Sequence, residues 1–369
     1  MRNMIETQGW IKAFILLLLA SILFACAAEK DEQQLLQKAK EYIAAEDIRA
    51  AVIELKNVLQ TNPQNAEARY LLGDLSLRVG DMPSAEKEFR RAAESGWSEE
   101  EAKIGMAVAM LELDQFQQLI DEVKPGSDWS VTAQADLFGL HAAAEAGLGR
   151  LDQAKSTISR GKALQQDAYH VLRSEALVQL MEGRPEAAGG TLDSALQKYS
   201  GSMDLLLLRA NTSVLENNTD HARETFMRII ESEPDMITAY GRKARLGIAR
   251  MDIQDKRLEQ AHAMLDSLIK KNVNDPEANY LSAVLAAKEK DFDKAEEYLD
   301  RILKLAPDHQ PTLLMSGSVS FAKGDYEQAA HYLGKYVMAA PDDQQARKLL
   351  GRTYMALEQY DEAQSTMRA

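Results

Sequence analysis

Side chains able to do chemistry are few in this chain and lie far apart. Its one cysteine, Cys26, follows Leu23, Phe24 and Ala25. A lone thiol excludes an intramolecular disulfide framework, and its position near the N-terminus matters more than its number. The six histidines, His141, His170, His221, His262, His309 and His331, form no H-E-x-x-H pair, and one cysteine cannot build a thiolate metal site. There is no G-x-S-x-G elbow, P-loop or complete G-x-G-x-x-G, and Gly147-Leu148-Gly149 reads as a hairpin turn. Carboxylate pairs such as Glu296-Glu297 are what 57 acidic residues produce by chance, and they read as solvated helix faces. The expectation is a protein that is not an enzyme and has no cofactor and no metal.

The elements that carry these residues begin with an N-terminal signal. Arg2 and Lys12 stand against Glu6, and Ala13 to Cys26 then runs without a charge through Ile15-Leu16-Leu17-Leu18-Leu19. That run is shorter than the ~20 residues a bilayer span needs and has the layout of a signal peptide. Leu23-Phe24-Ala25-Cys26 resembles the bacterial lipobox, although Phe24 is bulkier than is usual there. The resemblance implies a signal peptide over residues 1–25, lipidation and acylation at Cys26, and a short tether over 26–31. Several acyl chains anchor stably, at ~0.8 kcal/mol per buried methylene. Ala27 follows the cysteine, where the inner-membrane retention signal would place an aspartate. The resemblance therefore implies the periplasmic face of a Gram-negative outer membrane.

From residue 32 to 369 the chain repeats itself. A small residue recurs at Ala39, Gly73, Gly105, Ala142, Ala176, Ala210, Ala244, Ala283, Gly317 and Gly351. A second series runs Ala51, Ala85, Leu119, Ala154, Ala188, Ala222, Ala261, Ala295, Ala329 and Ala363, mostly at intervals of 34, as in 222 − 188. Small residues let two helix axes approach, and Phe89, Leu192, Phe226, Leu265, Leu299 and Leu333 stand four residues after the second series, on the same helical face. Gly80, Gly149, Gly183 and Gly324 end first helices, and Pro63, Pro234, Pro307 and Pro341 end second ones. The pattern resembles tetratricopeptide repeats. It predicts an all-α, right-handed solenoid of about ten helix-turn-helix repeats, the last incomplete, with a continuation beyond residue 369 expected.

Two places break the period. Gly73 to Ala142 spans 69 residues, one more than two repeats, and Leu119 with the loop Lys124-Pro125-Gly126-Ser127-Asp128 reads as a worn repeat and a flexible joint. Ala222 to Ala261 spans 39, in a locally basic segment with Arg242, Lys243, Arg245 and Arg250. That segment is either a longer hairpin with a solvated face or a docking spot for an anionic partner.

The first helices should present a concave groove bearing Tyr70, Asp74, His170, Arg173, Asn211, Tyr280, Phe321, Lys348 and Arg352. Aromatic groups among Arg and Asn suit an extended peptide or glycan, or else simply cover the helices. With a net charge of −14, nucleic acid is not an expected partner. A lipobox followed directly by a long array resembles the PEP-CTERM system TPR-repeat lipoprotein family. That resemblance implies a non-enzymatic periplasmic scaffold for the proteins of an envelope export or sorting system, or for exopolysaccharide. The alternatives are a lipoprotein that aids outer-membrane protein or pilus secretin assembly, and the N-terminal part of a longer protein with another activity.

Overall fold

The computed structural model describes residues 31–233, 235 and 238–368. Leu23, Phe24, Ala25 and Cys26 lie outside the described residues, as do Pro234 and Ala369. Among the described residues there are 20 helices and no strand, in ten consecutive hairpins. The first five are α1 (residues 31–44) with α2 (Ile48–Thr61), α3 (Ala66–Val79) with α4 (Met82–Glu94), α5 (Glu99–Glu112) with α6 (Phe116–Glu122), α7 (Val131–Gly147) with α8 (Leu151–Leu164), and α9 (Tyr169–Met181) with α10 (Pro185–Lys198). The others are α11 (Met203–Leu215) with α12 (Thr219–Ser232), α13 (Ala239–Gln254) with α14 (Leu258–Lys271), α15 (Pro276–Lys288) with α16 (Phe292–Leu305), α17 (Gln310–Lys323) with α18 (Tyr326–Ala339), and α19 (Gln344–Ala356) with α20 (Tyr360–Arg368).

Local chemistry sets these limits. Asn65, Asp81, Ser98, Ser130, Ser202, Asp275 and Asp343 each accept a first-turn N–H through the side chain, a cap worth about 1 kcal/mol. Inside every hairpin the turn holds one residue of positive φ. Glycine fills it at Gly80, Gly149, Gly183 and Gly324, and Glu46, Asp114, Asn217, Lys256, Lys290 and Glu358 fill it elsewhere at φ between 57° and 63°. Each of those six accepts a left-handed conformation that costs a residue with a Cβ roughly 1 kcal/mol. The hairpin demands the conformation even where sequence supplies no glycine.

These ten residues measure the repeat from the backbone. Seven residues before each lies the small first-helix residue, as in 80 − 73 and 324 − 317. By that measure Ala107 takes the place expected of Gly105 (114 − 107), and Ala249 the place expected of Ala244 (256 − 249). Ala107 and Ala249 are fully buried. The five extra residues thus precede the seventh hairpin rather than lengthening its turn. Helix α13 starts 17 residues before Lys256 (256 − 239), where α15 starts 14 before Lys290 (290 − 276). The gap of 233–238 is also two residues longer than that of 199–202.

Contacts divide the chain into two compact units, residues 1–225 with 235–240, and residues 226–234 with 241–369. The division falls at the insertion. In the first unit Ala51, Ala85, Leu119, Ala154, Ala188 and Ala222 are completely buried, as are Ala261, Ala295 and Ala329 in the second. Each covered Leu or Phe four residues on contributes about 2 kcal/mol. The worn repeat is tied down rather than a free joint. Helix α6 has only seven residues, but Val123 and Trp129 enter the core and His141 Nε2 lies 2.9 Å from the Val123 carbonyl.

Candidate functional site

In the first unit the first-helix face is built from α3, α7, α9 and α11. Tyr70 stacks on Trp97 at 4.9 Å and meets Phe89 edge-on at 5.5 Å, so part of its aromatic surface already serves the fold. Asp74, one turn further on, has no hydrogen-bond donor among the described residues. Burial lifts its carboxyl above the ordinary aspartate range, with Arg78 partly opposing.

Helix α9 carries the most structured group. Arg173 grips Asp204 with Nε at 2.6 Å and Nη2 at 3.4 Å, and Glu112 of α5 approaches to 3.7 Å. The Tyr169 hydroxyl contacts Ser202 at 2.8 Å and donates to Asp204 at 3.1 Å. Burial opposes the Arg173 charge, yet Asp204 beside it holds the guanidinium above its usual value. His170 is pushed down to about 3 by burial, aided by Arg173 and opposed by Asp204, so its ring is neutral at pH 7. Asp136 accepts the His170 backbone N–H at 2.9 Å. Gly139 lets α7 approach α9, since a Cβ there would stand 2.3 Å from the His170 backbone carbon.

Of this group the sequence singles out His170 and Arg173 but not Tyr169, Asp136, Asp204 or Glu112. Asp136 and Asp204 were within reach of the period, standing 34 residues either side of His170 (170 − 136 and 204 − 170). Arg173 is engaged by Asp204 through Nε and Nη2, the nitrogens an incoming bidentate anion would otherwise use on that edge. Asn211 is exposed.

In the second unit Tyr280, Pro311, Leu314, Met315 and Ser318 line a pocket of about 390 Å³. The Arg352 guanidinium sits 5.0 Å over the Phe321 ring, and Tyr326 meets that ring edge-on at 5.5 Å. Lys348 and Arg352 are exposed. The basic segment divides. Arg245 is buried and donates to the carbonyls of Gly241 and Glu233 at 3.1 Å each, and Arg242 pairs with Asp275 and Glu277, so neither is offered to a partner. Lys243 and Arg250 remain exposed.

Among the described residues Ser213 Oγ lies 2.8 Å from His221 Nδ1, but Ser213 is fully buried and also receives Arg209 Nη1 at 2.6 Å. It is a structural network closed by Asp193 and Glu216. No group of three or more His, Cys, Asp or Glu suited to a metal ion occurs among the described residues. Among the described residues the arrangement offers surfaces for grip, and the one serine seen beside a histidine is buried and committed to Arg209.

Helix hairpins stacked at this period define the class: an all-α tetratricopeptide solenoid. Tetratricopeptide-repeat family profiles match residues 36–100 and 245–309, and a second one matches 281–353. The fold is similar to that of a tetratricopeptide repeat protein from Parabacteroides merdae ATCC 43184, with a TM-score of 0.50 and 14% identity over 88% of this chain and 99% of that one. The pilF protein of Pseudomonas aeruginosa is similar over 57% of this chain and 95% of its own, at 18% identity and a TM-score of 0.48. No curated protein matches the sequence.

Proposed function

We propose that this chain is a non-catalytic scaffold, held by lipid on Cys26 at the periplasmic face of an outer membrane. Its first-helix faces grip extended segments of proteins in an envelope export or sorting system of the PEP-CTERM kind. Tetratricopeptide repeats are interaction scaffolds, and what carries the reading here is the second unit's face. There Tyr280 borders an open pocket, Lys348 and Arg352 offer exposed cationic surface, and the half-buried Phe321 ring lies beneath the Arg352 guanidinium. The lipid anchor rests on the Leu23-Phe24-Ala25-Cys26 sequence and has its own test. Cells fed a labelled fatty acid should label the wild-type chain, and Cys26→Ala should abolish the label and move the protein into the soluble fraction. Persistent labelling of the variant would refute the anchor.

A further inference from the structure

The turn residues of positive φ fix which side chains of the second unit share one face. Counting back 13, 10, 6 and 3 residues from Lys290 gives Glu277, Tyr280, Val284 and Ala287, and from Gly324 gives Pro311, Leu314, Ser318 and Phe321. The same offsets from Lys256 give Lys243, Leu246, Arg250 and Ile253, and from Glu358 give Gln345, Lys348, Arg352 and Met355. Lys243 and Arg250 of α13 therefore join Lys348 and Arg352 of α19 on the face that holds Tyr280 and Phe321. Counted from Ala244 they fall off this face, which is why the sequence alone separates them from it.

All four cations are exposed, and no carboxylate pairs with any of them among the described residues. The one acidic residue on these positions, Glu277, is taken by Arg242. In the first unit the equivalent positions carry Glu67, Asp74, Glu101, Asp136 and Asp204, and the two cations there, Lys40 and Arg173, pair with Glu67 and Asp204. A chain with 57 acidic and 43 basic residues thus gathers unpaired positive charge on one helix face, beside an apolar pocket.

We infer that this face of the second unit takes an acidic, extended protein segment bearing an apolar side chain. Carboxylates would meet Lys243, Arg250, Lys348 and Arg352, and the apolar group would enter the pocket beside Tyr280 and Leu314. Three steps between neighbouring first helices at about 10 Å each span roughly 30 Å. That is the length of about nine extended residues. Besides the polar Gln310 and Ser318 and the rings of Tyr280 and Tyr336, the pocket presents Pro311, Leu314 and Met315, which reward burial of a hydrocarbon side chain that a sugar polymer lacks and so favour a peptide. The inference names the partner chemistry of the scaffold proposed above and rests on that reading.

The test uses the full-length chain in detergent and two fluorescein-labelled peptides of about nine residues, one of Asp and Glu around a central Leu, the other with Lys in place of every acid. Anisotropy should show saturable binding of the acidic peptide only. Lys243→Glu and Arg352→Glu should each weaken it about tenfold, while Lys304→Glu, exposed on α16, should leave it unchanged. Equal binding of both peptides, no response to the two reversals, or tighter binding of polygalacturonate of equal charge would overturn the inference. If the reversals leave partner crosslinking in cells intact, the acidic segment is refuted and the scaffold stands; loss of all crosslinks from the unmodified chain refutes the scaffold itself.

Discussion

His170 shows what burial does to a single side chain on the first-helix face. Its imidazole is held neutral down to about pH 3, so the unfolded chain binds the proton first as the solution is acidified. The sign follows: the contribution is complete above about pH 6.5, the value of a free histidine, and is lost progressively as pH falls toward 3. Asp74 and Asp136 act oppositely, because burial raises their carboxyls and the folded state takes up their protons more readily. His170→Gln should therefore flatten the acid side of the stability curve, retaining about 2 kcal/mol more than wild type at pH 5 relative to pH 7. Urea denaturation at the two pH values measures it, and an unchanged difference would assign the acid sensitivity elsewhere.

At the level of the element, volume is traded between neighbouring hairpins. Phe89 and Phe226 occupy the position four residues after the second-helix alanine, where most other hairpins hold leucine. Two residues before the next frame position stand Gly105 and Gly247, and a Cβ there would come within 2.6 Å of the Phe89 ring and 2.5 Å of the Phe226 ring. Where the preceding hairpin carries Leu192, Leu265, Leu299 or Leu333, the same position holds Leu208, Leu281, Met315 or Leu349. The phenyl ring and the glycine are one unit of packing. Gly105→Ala should cost about 1–3 kcal/mol by overpacking, and adding Phe89→Leu should recover part of that loss, a non-additivity that a double-mutant cycle in thermal or chemical denaturation detects. Strictly additive losses would show that the two do not compensate.

The same trade explains what the sequence disclosed and what it hid. The second-helix alanines were legible because nine of the ten hairpins keep a small residue there at a nearly constant interval, Leu119 of α6 being the exception. First-helix positions were ambiguous in α5 and α13, where Gly105, Ala107 and Ala109, or Ala244, Gly247 and Ala249, offer several small residues within one or two turns. Only the backbone of the following turn, at Asp114 and Lys256, chooses among them. Arg173 read as a groove residue, but its engagement by Asp204, 31 residues away, depends on how α9 meets α11. Likewise Arg245 read as surface charge because its partners are backbone carbonyls, which sequence does not distinguish.

For the whole molecule, each unit buries its period-defining residues and leaves its first helices to present charge of a different kind, carboxylates on the first unit and cations on the second. A solenoid whose stability sums over neighbouring hairpins can devote one face to partners at little cost to the core. The direct measurement is photocrosslinking in living cells from single sites: Asn211 and Tyr280 on the first-helix faces, and Lys304 exposed on the second-helix side. Discrete protein adducts from Asn211 and Tyr280, with none from Lys304, are the result expected of a scaffold that grips its partners by these faces. Identical adducts from all three sites, or none from the first two, would contradict it.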